Sequence, residues 1–282
     1  QFLLFYENSW KRIEQGSTFT AINANDIRSI TIPTPSLGES SKIAQILSTW
    51  DQSISDTQKL IDQLKLRKKG LMQQLLTGKK RLPGFDGEWE EYSYYDLLKE
   101  NNRPVAWNDQ NLYHLISVRR RSGGLFNRES LYGSEILTKN LKTAKVGDFL
   151  ISKMQIVHGA SGIVTEEFND MKISGSYLCL GAKDESLINM DYFNWMSKTP
   201  FFYHQTYVAS YGVHIEKMTF NYKSFLKLKT RIPKIDEQNA ITKVLNKSDL
   251  SIREQKEKLI KLQSQKKGLM QQLLTGQKRV KI

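Results

Sequence analysis

Lys68-Lys69-Gly70-Leu71-Met72-Gln73-Gln74-Leu75-Leu76-Thr77-Gly78 recurs letter for letter from Lys266 to Gly276. The offset of 198 residues (266 − 68) is far beyond the roughly 20–50-residue period of a solenoid. It also aligns Glu39 with Glu237, Ile43 with Ile241, Leu47 with Leu245, Asp51 with Asp249, Ile54 with Ile252 and Leu64 with Leu262. Just upstream, Ile32-Pro33 answers to Ile232-Pro233, with two residues of difference in the connecting loop.

Each copy reads as one long helix. In the first, Ile43, Leu47, Trp50, Ile54, Thr57, Ile61, Leu64, Lys68, Leu71 and Leu75 alternate spacings of four and three, which makes a heptad seam. In the second, Ile241, Leu245, Ser248, Ile252, Gln255, Leu259, Leu262, Lys266, Leu269 and Leu273 repeat that spacing. Polar breaks fall at matching places, Thr57 with Gln255 and Lys68 with Lys266, and such breaks fix register at a cost in stability. Two seams built alike point to helices that pack on each other.

Pro33 and Pro35 bar an earlier start, Ser36 and Glu39 have capping-box spacing, and Asp236 is the expected N-cap of the second helix. Gly78 and Gly276 stand where a helix C′ residue belongs. Gly70 and Gly268 lie inside the helical pattern at about 1 kcal/mol each relative to Ala. Their equivalent positions point to a close helix–helix approach, with a simply tolerated cost as the alternative. A helix from Ile43 to Leu75 would be about 50 Å long, the dimension of a spacer.

Between the helices the character changes. Asp148 to Ser152 and Gly162 to Thr165 are strand-like, Ser122-Gly123-Gly124 and Gly159 to Gly162 are turn signals, and Asn189 to Val208 reads as helix broken near Pro200. The fold class expected is α+β: a mixed α/β globular domain with two long helices. The organisation read is 1–37, the C-terminal remnant of a first globular domain; 38–80, the first long helix; 81–235, the second globular domain; and 236–282, the second long helix. The remnant is inferred because Gly16 through Pro33 resembles Gly212 through Pro233.

A formal charge of +13 and a pI near 9.6 fit a polyanionic partner; surface lysine enrichment for solubility is the alternative. One cysteine, Cys179 in an apolar run, leaves no intramolecular disulfide and no multi-cysteine zinc site, and reads as a small core residue. No apolar stretch approaches the ~20 residues of a membrane span, and the start lacks a signal-peptide pattern. The expected compartment is the cytoplasm.

Globular domain, long helix, globular domain, long helix resembles the layout of type I restriction-modification specificity subunits. The letters that carry the resemblance are the twin Lys-Lys-Gly-Leu-Met-Gln-Gln-Leu-Leu-Thr-Gly segments and the Pro followed by Glu at each helix start. Leu82-Pro83-Gly84-Phe85-Asp86-Gly87-Glu88-Trp89-Glu90, Val146 to Ser152 and Gly159 to Val164 add to it. The resemblance implies target-recognition domains that each read half of a bipartite double-stranded DNA site. It implies an antiparallel coiled coil that sets the gap between halves and docks two methyltransferase subunits, with restriction subunits joining them. S-adenosylmethionine and ATP with Mg would belong to those partners, leaving this chain non-catalytic and without a cofactor. A half-sized form would dimerise and read a palindromic site.

The search for chemistry in the chain itself agrees. A methyltransferase needs a glycine-rich cofactor turn and an Asn/Asp-Pro-Pro-aromatic motif, and no Pro-Pro pair exists. No Walker loop is present, and His114, His158, His204 and His214 lack metal-ligand spacing. Glu216-Lys217 lacks the spacer of metal-dependent nuclease sites and reads as a surface pair. Three DNA-binding candidates stand out: Arg119-Arg120-Arg121 before a flexible turn; Lys153 and Gln155 with His158; and Tyr211, His214 and Lys217 around Gly212. Arginine and lysine suit guanine or phosphate and glutamine suits adenine, against the alternative of solvated charge. Trp195, Phe201 and Phe202 read as core. Lys68, Lys69, Lys266 and Lys267 are open between DNA backbone, partner subunit and solvated helix face. The competing functional reading is a coiled-coil scaffold with weak, non-specific DNA binding.

Overall fold

The computed structural model describes residues 34–281 together with Arg28, so the inferred remnant domain, apart from Arg28 and residues 34–37, lies outside the described residues. Two long helices, α1 (Leu37–Leu75) and α6 (Ile235–Leu274), frame the chain. It divides into two compact units: one drawn from the residues up to Arg67 and from Asp249 onward, the other Lys68–Ser248.

In the first unit the start of α1 lies against the end of α6, so the two segments run antiparallel. Ile43, Leu47 and Leu273 are buried, packed by Ile46, Leu269, Met270, Leu274 and Val280. Lys266 closes on Asp51 at 2.5 Å. Farther along the seam Ile61 and Ile252 are buried, while Trp50, Ile54, Leu64, Leu259 and Leu262 are half-buried. Thr57 is buried too, but its hydroxyl donates to the Ser53 carbonyl at 2.7 Å, so this polar break leaves no hydrogen bond unmade.

The capping box is half formed. Ser36 Oγ accepts the Glu39 N–H at 3.3 Å, but the Glu39 carboxylate, buried at 3% exposure, does not return to the Ser36 backbone. It takes both ends of the Arg279 guanidinium, at 2.8 Å from Nε and 2.5 Å from Nη2, plus the Val280 N–H at 3.1 Å. Arg279, then the Val280 N–H, hold that carboxyl below its ordinary range.

Gly70 and Gly268 correct an expectation: a Cβ at either would meet nothing within 4 Å, so neither marks a close helix approach. Both are plain helical glycines. Gly70→Ala and Gly268→Ala are therefore each expected to raise stability by about 1 kcal/mol, read as higher melting temperatures with DNA binding unchanged. Gly78 and Gly276 do end their helices in the left-handed conformation, at φ of 69° and 75°.

The second unit follows in chain order as β1 (Glu90–Ser93), α2 (Tyr94–Leu97), β2 (Leu98–Glu100), β3 (Leu112–Val118), β4 (Leu125–Tyr132), β5 (Leu141–Thr143), β6 (Phe149–Ser152), β7 (Ser161–Ile163), β8 (Lys172–Ser174) and β9 (Tyr177–Ala182). Then come α3 (Met190–Met196), α4 (Pro200–Val208), β10 (Ser210–Tyr211), β11 (Thr219–Phe220), α5 (Tyr222–Leu226) and β12 (Lys229–Ile232). Two four-stranded sheets run β2-β9-β6-β7 and β4-β3-β8-β5; β1 pairs with β12 and β10 with β11.

Strand β6 explains the layering. All four of its residues are buried, because alternate side chains serve two cores. Phe149 and Ile151 enter an aromatic core with Tyr94, Phe193, Phe202 and Phe225, into which Leu75 at the end of α1, the following Leu76, and the start of α6 (Ile241, Leu245) also pack. Leu150 faces the other way, toward Ile116, Val118, Leu125, Ile173 and Cys179 of the second core. Tyr94 stacks on Phe225 at 4.1 Å between ring centres, and Phe149 meets Phe193 edge-on at 4.8 Å. Cys179 is buried, as the sequence reading has it. Beside it burial alone would raise the Asp148 carboxyl, but Arg103 at 2.6 Å, the Cys179 thiol, the Lys145 N–H and Asn101 hold it low.

Asp236 is not the N-cap. The helix begins one residue earlier, since the Lys234 carbonyl accepts from both the Glu237 and Gln238 amides. Asp236 sits in the first turn, where the helix dipole favours it. Beside it Glu237 takes Arg81 in a bidentate pair, both contacts 2.5 Å. Arg81 stands at the repeat offset from Arg279, and Glu237 at that offset from Glu39. The duplicated unit thus makes one Glu–Arg clasp twice, each joining the start of one helix to the segment following the other.

Candidate nucleic-acid interface

Three loops of the second unit carry the nine candidate DNA-binding residues, and the fold brings them together. The β3–β4 hairpin loop holds Arg119, Arg120 and Arg121; the β6–β7 connection holds Lys153, Gln155 and His158; the short β10–β11 hairpin holds Tyr211, His214 and Lys217.

The arginine loop is held by the second loop's backbone. Arg121 and Ser122 are in the left-handed region, at φ of 58° and 52°, a conformation non-glycine residues adopt only when surroundings impose it. Here the Arg121 N–H donates to the His158 carbonyl at 2.7 Å and the Ser122 N–H to the Gly159 carbonyl at 2.9 Å. The Ser122 hydroxyl bonds that of Tyr203 on α4 at 2.8 Å. Gly159, itself at φ 73°, lies so close to Tyr203 that a Cβ would stand 1.9 Å from its hydroxyl. Glycine is required there on both counts.

The third loop joins through Glu216. Arg120 donates from Nε to Gln155 at 2.6 Å and from Nη2 to Glu216 at 2.9 Å. His158 Nε2 lies 3.3 Å from the other Glu216 oxygen, near enough for an ion pair but not hydrogen-bonded to it. This corrects the reading of Glu216 with Lys217 as a surface pair. Glu216 reaches across to Arg120, and Lys217 has no ion-pair partner among the described residues. The pairing is invisible in sequence because 96 residues separate its members.

The nine residues differ in what they offer a ligand. Arg121, Tyr211, His214 and Lys217 are exposed, Arg121 and Lys217 without an ion pair among the described residues. Arg120 is half exposed and already engaged. Arg119 lies over the Phe126 ring at 4.4 Å and donates to the Leu125 carbonyl, so it also braces its own hairpin. Lys153 donates to the Gly175 carbonyl at 3.0 Å. Sequence reasoning passed over Val213, 99% exposed, and Ile215 and Met154, about half exposed; the signal was there in two apolar residues between Gly212 and Glu216. Trp195 and Phe202 are buried as read, but Phe201 is half exposed and lines a cleft of about 1340 Å³ with Met72 and Trp89. Only one of the two phenylalanines following Pro200 can face the core at helical spacing.

Comparison with known proteins follows the same lines. Residues 1–66 match the family model described as type I restriction modification DNA specificity domain. A putative type I restriction enzyme MjaX specificity subunit from Methanocaldococcus jannaschii is 25% identical over 289 residues, spanning 93% of this chain. The chain spans 62% of that relative's length. The HsdS subunit from Thermoanaerobacter tengcongensis shares the fold at a TM-score of 0.54 and 16% identity, over 98% of this chain and 70% of that one. The S subunit of a type I restriction-modification system from M. genitalium does so at 0.59 and 13%, over 96% and 70%. Among the described residues no helix is long and apolar enough to cross a membrane. By repeat, fold and sequence the chain is similar to the specificity subunits of type I restriction-modification systems.

Proposed function

We propose that the chain is a sequence-specific DNA-binding subunit whose three-loop face reads a half-site of a bipartite target. On this reading α1 and α6 dock methyltransferase subunits, restriction subunits join that assembly, and catalysis with its cofactors stays with the partners. The observation that carries it is the convergence of the arginine turn, the Gln155 loop and the 211–217 hairpin, three segments distant in sequence, joined by the bonds of Arg120 to Gln155 and Glu216 and of Arg121 to His158. The strained backbone at Arg121 and Ser122 supports the same reading, since such conformations are maintained where a site needs them. Exposed Tyr211, Val213 and Ile215 on the hairpin suit apolar contact with a thymine methyl or a base step.

The test is salt-dependent binding of duplex DNA by the purified chain. Arg121→Ala and Lys217→Ala are each expected to weaken binding and to lower the slope of log K against log salt by about 0.9 per lost phosphate contact. Slopes equal to wild type in both variants would take this face out of the interface.

A further inference from the structure

We propose that Glu216 is a specificity-determining residue: it accepts a hydrogen bond from a base amino group and penalises DNA that offers none. The proposal rests on the DNA-reading function above and names the chemistry of one position in it. Glu216 is the one carboxylate in the loops 119–124, 153–159 and 211–217. Its side chain is 59% exposed, on a face that otherwise presents Arg121, His214 and Lys217.

A carboxylate turned toward a polyanion opposes binding. What it can recognise on DNA is a donor, and in the major groove the cytosine N4 amino group is the donor glutamate accepts from. The geometry leaves room for that bond. Arg120 holds one Glu216 oxygen at 2.9 Å, fixing the carboxylate, while the oxygen near His158 takes no hydrogen bond from it. Gln155 accepts from Nε of the same guanidinium at 2.6 Å, so three side chains with distinct base preferences meet at Arg120: glutamine for adenine, arginine for guanine, glutamate for cytosine.

The experiment enriches a randomised duplex pool with the full 282-residue chain, comparing wild type, Glu216→Gln and Arg120→Ala. Glu216→Gln keeps the shape and loses the charge. It is expected to raise affinity for random duplex several-fold and to change the preference at one base pair by roughly 10- to 100-fold, leaving the other positions as they were. Arg120→Ala is expected to lower both affinities. If Glu216 only braces Arg120, Glu216→Gln will enrich the wild-type motif position for position, and that result overturns the proposal. Unchanged or reduced affinity for random duplex overturns it as well. A wild-type chain that enriches no motif removes the DNA-reading function itself, and this proposal with it.

Discussion

Gly159→Ala is expected to unfold at a lower temperature and to lose sequence-selective DNA binding together. Alanine at φ 73° carries roughly 1–2 kcal/mol of left-handed strain. Its Cβ would also overlap the Tyr203 hydroxyl and ring, at 1.9, 2.4 and 2.7 Å, so the ring must swing away and surrender its bond to Ser122. Adding about 1 kcal/mol for that bond gives a fall of some 4–12 °C for a unit of this size. Ser122 and Arg121 are the two left-handed residues of the arginine turn, so that turn should lose its fixed shape, with affinity for the selected sequence down at least tenfold. Gly147→Ala is the control. Gly147 has φ 83° and nothing within 4 Å of a Cβ, so it should show the strain without the effect on DNA. Equal effects of the two substitutions on binding would mean that the Tyr203 contact does not shape the site.

Arg81→Ala should destabilise the chain more than Arg279→Ala, although the repeat makes the two arginines equivalent. Each leaves a buried glutamate without its bidentate partner, but Arg81 is itself 24% exposed and Arg279 72%. Removing one member of a buried pair costs about 3–5 kcal/mol, most of it the stranded charge, so Arg81→Ala should approach that range. Replacing the whole pair with apolar residues, Arg81→Met with Glu237→Leu, should recover most of the loss. Chemical denaturation of the four chains decides it. Arg81→Ala no worse than Arg279→Ala would show that the depth of the clasp is not what sets its strength.

The long helices were legible because the identical segment, the heptad seam and the terminal glycines all point the same way, and the left-handed Gly78 and Gly276 bear that out. The clasps were half legible. The repeat continues through Lys80-Arg81 and Lys278-Arg279, but nothing local says that Arg81 meets a glutamate 156 residues away. Gly70 and Gly268 misled because glycine in a helix reads alike whether it admits a neighbour or faces open space. In the loops, residue type located the candidates, and turn glycines marked the bends. Their mutual geometry depends on contacts such as Ser122 with Tyr203 and Arg120 with Glu216, which sequence spacing does not encode.

Whether this chain reads DNA sequence is decided by enrichment of a randomised duplex pool with the purified wild-type protein at physiological salt. The expected result is a short defined motif, bound well above random duplex. DNA captured with no motif enriched, and affinity set by salt alone, would contradict it.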